Sequence, residues 1–304
     1  MDSIFNFNLA DFSFAFLSIL LEGLPFLLLG TALSGLIDQF LPARLMSRLI
    51  PNNLLAGTLI CSLMGIIFPM CECGVVPVIR RLMKKGLPAS NAITYMLAAP
   101  VVNPVVAVST YTAFKGQMPL EMALFRLGIA VLVAVVIGII TSRIALNRIV
   151  REDVMATFAL SSSDSGGAAS VPMRLWNAVA ICAGDFLGMM VYFVAGSCVA
   201  AIFNTAINQD ILWPLAVNDW LATFSMMGLA SVLSVCSTTD AFIAATFTMF
   251  PAVAKLAFLT FGPIVDLKLI FIYSAVFRKR FIFGLVVTAF VLIVAVCMRL
   301  RLVF

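Results

Sequence analysis

Histidine is absent from this chain, and charged residues are scarce. Only 11% of the 304 residues are Asp, Glu, Lys or Arg, whereas a soluble domain carries about 25% charge. Hydrophobic residues make up 63% of the sequence, and the mean hydropathy is +1.14. The composition therefore predicts a polytopic membrane protein of the all-α class, with no room for a sizeable soluble domain.

These absences exclude several classes of chemistry. Without histidine there is no His-based metal site, no His proton relay and no Ser–His or Cys–His catalytic arrangement. The sequence also lacks a phosphate-cradling loop of the Walker type, so we expect no ATP hydrolysis by this chain. We expect no cofactor, and we expect that the chain is not an enzyme.

The net charge of +5 does not indicate nucleic-acid binding. Most of the Lys and Arg residues lie in short loops between apolar runs or near the ends of those runs, where such residues set membrane topology. The N-terminus lacks a positively charged region, so no cleavable signal peptide is expected.

One stretch combines residues that a plain spanning helix does not tolerate. Residues 68–77 read Phe-Pro-Met-Cys-Glu-Cys-Gly-Val-Val-Pro and lie between apolar segments. Proline removes a backbone donor, and glycine loosens a helix. In lipid, such a break occurs only where it is buried in protein or lines a wet cavity. We therefore interpret this stretch as the substrate site of a transporter.

Apolar runs alternate with short basic connections along the whole chain. The long runs are residues 12–36, 53–70, 88–114, 120–146, 175–203, 214–235, 252–277 and 281–298, and the shorter pieces are residues 74–83 and 238–250. Residues 150–172 form the only clear linker, because residues 161–167 have a flexible Ser- and Gly-rich composition. The predicted division is a first transmembrane repeat at 1–149, a flexible cytoplasmic linker at 150–172 and a second repeat at 173–304.

The two halves are related by a constant shift in sequence. Cys73 and Cys236 differ by 236 − 73 = 163 positions. Applied without gaps, this shift carries Glu22 onto Asp185, Pro88 onto Pro251, Pro100 onto Pro263 and Asn103 onto Asp266. Aligned Cys, Pro and acidic positions do not arise by chance from apolar composition. The sequence therefore predicts an internal repeat.

The distribution of basic residues predicts the relative orientation of these repeats. If the short piece at 74–83 crosses the membrane, each half has about five segments and most basic loops share the cytoplasmic side. An odd number of crossings gives the halves opposite topology. Inverted repeats with broken or short helices at the centre, and a site at the midplane, are typical of secondary transporters. If the short piece is instead re-entrant, the outer spans have the reverse orientation.

Several motifs in combination resemble one known family. They are residues 68–74, 80–81, 85–86, 98–100 with 103–104, 109–110, 234–237 with 240–242, and 262–263 with 266 and 268. The chain resembles the predicted permease family that contains the ArsP-type organoarsenical exporters and the YraQ-like permeases. This resemblance implies a multi-pass inner-membrane permease with a small-molecule substrate. Its characterised ArsP-type members export trivalent organoarsenicals, but the family is broader than that activity.

Three cysteines are the leading candidates for substrate contact. Cys71, Cys73 and Cys236 each adjoin a helix-breaking or polar stretch, and thiolates select soft metals, by extension a trivalent metalloid. Two cysteines separated by one residue face one ligand only off a regular helix, where positions i and i+2 point apart. Two alternatives stay open: the thiols pack inertly, as buried cysteines often do, or Cys71 and Cys73 form a strained disulfide.

Two carboxylates inside apolar spans are candidates for proton coupling. A charge at the centre of a membrane helix costs about 2.5–3.5 kcal/mol on insertion scales. Glu22 and Asp185 incur that cost at positions related by the repeat, which predicts that they face the protein interior. The alternative is that each is a structural carboxylate at a helix break.

Further polar residues follow the prolines of the broken helices. Asn103, Asp240 and Asp266 could line a substrate or ion path, or they could cap the broken helices. Glu72 either attracts a cation or pairs with a basic residue. The basic residues Arg80, Arg81, Lys84 and Lys85 are interpreted as determinants of topology.

The sequence as a whole therefore predicts a permease that exports a small thiophilic solute, such as a trivalent organoarsenical. In this interpretation Cys71, Glu72, Cys73 and Cys236 line a midplane site, and proton exchange drives transport. The alternatives are a permease for a metal ion or an organic anion with incidental cysteines, or a membrane thiol oxidoreductase. A homo-oligomer and a co-encoded partner protein both stay open.

Overall fold

A computed structural model describes residues 9–41, 51, 53–155, 171–206 and 219–301. In these ranges the chain is helical, and the only extended pairing is one isolated bridge between Val150 and Phe277. The helices of the first half are α1 (Leu9–Phe40), α2 (Leu54–Leu63), α3 (Glu72–Lys84), α4 (Ala89–Ala98), α5 (Pro104–Ala113), α6 (Pro119–Ser142) and α7 (Leu146–Ile149). Those of the second half are α8 (Val171–Ala206), α9 (Asp219–Leu233), α10 (Asp240–Thr246), α11 (Ala252–Phe261), α12 (Leu267–Ser274) and α13 (Lys279–Leu300).

The predicted all-α membrane architecture is confirmed. Among the described helices, α1, α6, α8 and α13 are long and apolar enough to cross a membrane. The ten residues of α4 extend about 15 Å, or roughly half of the hydrocarbon core. Broken and short helices therefore lie between the long spans, as the proline and glycine positions predicted.

The 163-residue shift reappears in the helix bounds. It carries both ends of α4 onto those of α11, since 89 + 163 = 252 and 98 + 163 = 261. It also carries the first residue of α5 onto the first residue of α12, since 104 + 163 = 267. The residues before these two helices, Asn103 and Asp266, both cap them through a side-chain oxygen. The opposite orientation of the two halves stays a prediction.

Glycine contacts bring the helices that carry the candidate residues into close approach. Gly30 on α1 lies against Gly74 on α3, so a β-carbon at Gly30 would lie 2.5 Å from the α-carbon of Gly74. Gly196 on α8 lies similarly against the backbone of Lys268 on α12. Small residues at membrane-helix interfaces permit such approach. These contacts position α3 and α12 against the long helices α1 and α8.

The first residues of the predicted linker are docked onto the second half. The Arg278 amide donates to the Ile149 carbonyl, and the Arg151 amide donates to the Val276 carbonyl, both at 3.0 Å. An ion pair between Arg278 and Glu152 at 2.8 Å adds to this contact. Residues 156–170 of the predicted linker lie outside the described residues, so their flexibility stays a prediction.

Replacing Gly30 by alanine tests the α1–α3 contact. The added methyl group meets backbone atoms of Gly74, which cannot rotate away, so we expect a loss of about 1–3 kcal/mol in stability. Thermal unfolding of the detergent-purified protein measures the effect. The matched control is Gly128→Ala on α6, where a β-carbon meets nothing within 4 Å. Equal melting temperatures for the two variants would contradict the contact.

Candidate functional site

The helix break between α9 and α10 is held by two buried cations. Ser234 has a left-handed φ of 50°, and the backbone from Ser234 to Thr239 leaves the helical hydrogen-bond pattern. The Ser234 carbonyl accepts from Lys268 Nζ at 2.7 Å, and the Ser237 carbonyl accepts from Arg126 Nη2 at 3.0 Å. In hydrocarbon an unsatisfied carbonyl costs several kcal/mol. Lys268 on α12 and Arg126 on α6 therefore stabilise the break.

Lys268 also forms ion pairs with carboxylates from both repeats. Its Nζ lies 3.2 Å from Glu72 Oε1 and 3.6 Å from Asp266 Oδ2. All three side chains are at most 4% exposed. Asp266 additionally accepts from the Leu269 amide through Oδ1 at 2.6 Å, capping α12. The break before α12 is what lets two residues at i and i+2 approach each other.

A second buried ion pair joins α6 to α10. Arg126 Nη2 lies 2.7 Å from Asp240 Oδ2, with side chains 1% and 4% exposed. Arg126 Nη1 also donates to Thr110 Oγ1 on α5 at 2.8 Å. The Ser237 hydroxyl donates to Glu72 Oε2 at 3.4 Å, which connects this pair to the Lys268 cluster. The two repeats are therefore linked by one continuous polar network.

A small cavity lies beside this network. Its volume is about 10 Å³, room for roughly one water molecule. The lining residues are Glu22, Gly23, Phe26, Cys71, Glu72, Cys73, Cys236 and Lys268. The structure thus brings the three candidate cysteines, one from the second repeat, to the wall of a single cavity.

The three thiols differ in their local setting. Cys71 has extended backbone angles and caps α3, with its Sγ accepting from the Gly74 amide at 3.4 Å. Cys73 lies in the first turn of α3 and is 2% exposed. Cys236 Sγ lies 3.7 Å from the hydroxyl of Thr238. Because Cys71 is outside the helix and Cys73 inside it, both can line one wall.

The cysteines are free thiols rather than disulfide partners. Within the described ranges, no group of three Cys, Asp or Glu side chains has a geometry that holds a metal ion. The cavity places the thiols together without preassembling a metalloid site. The soft-metalloid role of Cys71, Cys73 and Cys236 stays a prediction.

Glu22 and Asp185, related by the repeat, lie in different surroundings. Glu22 lines the cavity, where its Oε1 accepts from the Thr239 hydroxyl at 2.9 Å. Asp185 lies away from it and accepts from Arg81 through both oxygens, at 2.8 and 3.0 Å. Arg80 lies 3.8 Å from Asp185, and the Ser34 hydroxyl donates to it at 2.9 Å. The structure does not bring the two proton-coupling candidates together.

The basic residues at the end of α3, which were predicted to determine topology, also form ion pairs. Arg81 lies 3.7 Å from Asp38 on α1, and Lys84 lies 3.3 Å from the same carboxylate. Through Arg81, the carboxylates Asp38 and Asp185 join α1, α3 and α8 at this end of the molecule. We refer to these four residues, Asp38, Arg81, Lys84 and Asp185, as the basic-end cluster.

The remaining candidates lie outside the cavity wall. Asn103 Oδ1 accepts from the Val105 amide at 2.9 Å and caps α5, the structural alternative considered for it. Asp240 and Asp266 belong to the polar network and do not line the cavity. Each has one buried oxygen without a hydrogen-bond partner. Their substrate-binding role stays a prediction.

Sequence reasoning overlooked Arg126. It is a lone arginine within the apolar run of α6, and an ionisable residue inside a membrane helix is by default a functional candidate. That signal was sufficient to single it out. Its partner was not readable, because Asp240 lies 114 positions away in the sequence.

Comparisons with known proteins cover nearly the whole chain. The predicted permease family ArsP_1 matches residues 8–301. The chain is 35% identical to the UPF0718 protein YcgR of Bacillus subtilis (strain 168), covering 92% of this chain and 93% of that protein. It is 34% identical to a putative two-component membrane permease complex subunit of Streptococcus mutans, covering 93% and 92% respectively. No solved structure matches it.

The Arg126–Asp240 pair can be tested by a double-mutant cycle. Arg126→Leu leaves Asp240 as a buried, unpaired charge, so we expect a loss of about 3–5 kcal/mol. Combining it with Asp240→Leu removes that charge, and part of the loss should be recovered. Thermal unfolding in detergent measures both effects, with the exposed Arg299→Leu as control. Strictly additive losses would show that the two residues do not interact.

Proposed function

Since the chain belongs to the ArsP_1 family of predicted permeases, we propose that it exports a small thiophilic solute from the cytoplasm. A trivalent organoarsenical is the proposed example of that solute. Family membership makes the chain a multi-pass membrane transporter, and it favours transport over catalysis. The nature of the solute and the way in which transport is driven are the parts proposed here.

One observation supports the proposal that the solute is thiophilic. Cys71, Cys73 and Cys236 come from both repeats and line the same cavity beside the helix breaks. Soft ligands such as thiolates select soft metals, and trivalent arsenic has the same preference. Three thiols at one wall supply two or three ligands to such a centre when the side chains rotate toward it.

The cavity must widen to admit the proposed solute. Its volume of about 10 Å³ holds roughly one water molecule, which is less than a methylated or phenylated arsenic centre occupies. We therefore propose alternating access, in which α1, α3 and α8 separate and close around a fixed site. The basic-end cluster joins these three helices through ion pairs, which would have to break for the helices to separate.

Proton exchange is the proposed coupling, with Glu22 and Asp185 as its carriers. Glu22 lies in the cavity wall, where it can exchange a proton as the solute binds or leaves. Asp185 lies in the basic-end cluster, and protonation would weaken its two hydrogen bonds to Arg81. Loss of those bonds would release α3 from α8 and open that end.

The proposed location is the cell inner membrane, with the basic-end cluster and the linker on the cytoplasmic side.

The streptococcal relative is named a subunit of a two-component membrane permease complex, so a partner subunit is part of the proposal. A homo-oligomer is the alternative assembly.

A permease for another small solute, a metal ion or an organic anion, with incidental cysteines, is the second candidate. The buried network of Glu72, Asp266 and Lys268 favours it, because ionisable groups inside a membrane protein commonly mark a solute or ion path. Transport that survives replacement of all three cavity cysteines would favour this candidate.

A sensitivity assay tests the thiophilic solute. In cells that lack other arsenic pumps, expression should raise the tolerated concentration of trivalent methyl- and phenylarsenicals. Cys73→Ser and Cys236→Ser should each remove most of that protection, because a ligand is lost while the fold is kept. The matched control is Cys297→Ser on α13, a buried cysteine outside the cavity. Absence of protection, together with indifference to the cavity cysteines, would refute the thiol site.

Transport into inside-out vesicles tests the coupling. An acidic lumen should drive accumulation of the solute in exchange for protons, and Glu22→Gln should abolish the response to the gradient because it cannot bind the proton. The exposed Glu121→Gln is the matched control. A Glu22→Gln protein that still responds fully to the gradient would remove Glu22 from the coupling mechanism.

A further inference from the structure

The charges around the cavity are unevenly compensated. The polar network and the cavity wall together contain four carboxyl groups, Glu22, Glu72, Asp240 and Asp266, and two cations, Arg126 and Lys268. Carboxylates therefore outnumber cations at the centre of the molecule. The question is which of these charges a solute in the cavity meets.

Both cations are already engaged by oxygen atoms. Lys268 Nζ contacts the Ser234 carbonyl, Glu72 and Asp266 at 2.7, 3.2 and 3.6 Å. Arg126 is bound in the same manner by Asp240, Thr110 and the Ser237 carbonyl. Their positive charges are compensated within the network. Lys268 is the one of these two cations that lines the cavity, and its Nζ is already engaged by three oxygen atoms, so an anion in the cavity would have to compete with them.

Glu22, in contrast, has no cationic partner. Among the described residues it forms no ion pair, and its Oε1 accepts a hydrogen bond from the Thr239 hydroxyl at 2.9 Å. It reaches the cavity from α1 and is partly exposed. In a medium of low effective dielectric constant, an uncompensated charge dominates the local potential.

The repeat shows that this lack of compensation is specific to Glu22. Its mate Asp185 is neutralised by Arg81 and Arg80 of the first repeat. The 163-residue shift carries Arg80 onto Ile243 and Arg81 onto Ala244. The second repeat thus has apolar residues at the positions whose mates neutralise Asp185. The carboxylate at this position therefore has cationic partners in the second half, at Asp185, and among the described residues has none in the first half, at Glu22.

We infer that the cavity rejects anionic solutes and admits neutral or positively charged thiol-reactive ones, and that Glu22 sets this selection. The inference rests on the proposed function, because it treats the cavity as the solute site. It excludes organic anions from the second candidate function and keeps metal cations. For a cationic solute, proton and solute compete for the same carboxylate, as exchange requires.

Charged thiol reagents measure the selection directly at the native cysteines. The test protein keeps Cys71, Cys73 and Cys236 and has the cysteines outside the cavity replaced by alanine, at positions 61, 182, 198 and 297. Its rates of modification by trimethylammonium-ethyl and by sulfonato-ethyl methanethiosulfonate are each divided by the rate with a free thiol in solution. We expect a ratio of about ten or more in favour of the cationic reagent, as in clefts of one sign of charge.

Two substitutions should abolish that preference by different routes. Glu22→Gln removes the charge, and Thr239→Lys places an ammonium group beside it at an exposed position. Either variant should bring the ratio close to one. Glu121→Gln, the same chemical change on an exposed carboxylate of α6, should keep the ratio of the parent. Gel filtration in detergent confirms that each variant is folded.

Several results would overturn the inference. An equal or inverted preference in the parent protein does so, and so does a ratio that Glu22→Gln and Thr239→Lys both leave unchanged. Reaction with neutral methyl methanethiosulfonate but with neither charged reagent does so as well.

The outcomes separate the inference from the proposed function. Cysteine-dependent arsenical protection without a charge preference refutes only the charge selection. A charge preference without protection refutes the arsenical substrate and leaves the selection standing. Failure of even the neutral reagent to react removes the cavity from any solute path, and both proposals then fail.

Discussion

The need of every backbone carbonyl inside a membrane for a donor organises the centre of this molecule. The break between α9 and α10 frees two carbonyls, and Lys268 and Arg126 supply their donors. A cation in hydrocarbon in turn needs an anion, which Glu72 and Asp240 provide. The free carbonyls need cations as donors, and the cations need carboxylates as counter-ions. These contacts connect residues of the first half with residues of the second. The helix break, the ion pairs and the association of the two halves therefore depend on one another, and removal of either cation takes the donor away from a buried carbonyl.

The two breaks are related by the 163-residue shift, but their carbonyls find donors of different kinds. In the first break the Phe68 carbonyl accepts from the neutral hydroxyl of Tyr95 at 3.2 Å, whereas in the second break the donors are ammonium and guanidinium groups. The second break has Ser234 and Val235 at the positions that match Cys71 and Glu72, and Cys236 at the position that matches Cys73. The carboxylate position diverges in a similar manner, since Asp185 is paired and Glu22 is not. In the proposed transporter the matched pair Cys73 and Cys236 supplies thiols from both halves, and the departures from symmetry at Cys71, Glu72 and Glu22 make the cavity wall chemically uneven.

The sequence was most informative about features that depend on local spacing. Pro100 and Pro263, with the cap candidates Asn103 and Asp266, indicated the breaks that separate α4 from α5 and α11 from α12, because the signals that interrupt a helix lie within a few residues of the break. The 163-residue shift also relates Cys73 to Cys236, which indicated that each half supplies a thiol to the site. What could not be predicted is pairing at long range. Arg81 and Asp185 are 104 positions apart, and nothing in their neighbourhoods indicates that they meet, so Arg81 was interpreted only as a topology signal. Arg126 was within reach of sequence reasoning, but its pairing with Asp240 was not.

The contact between the end of the first repeat and the loop before α13 has a consequence for how the halves stay together. The amides of Arg151 and Arg278 donate hydrogen bonds to the carbonyls of Val276 and Ile149, and Glu152 forms an ion pair with Arg278. These contacts precede residues 156–170 in the sequence and attach the first half to the second by noncovalent bonds. The covalent connection through residues 156–170 keeps both halves on one polypeptide, whereas noncovalent contacts such as these hold the two halves against each other.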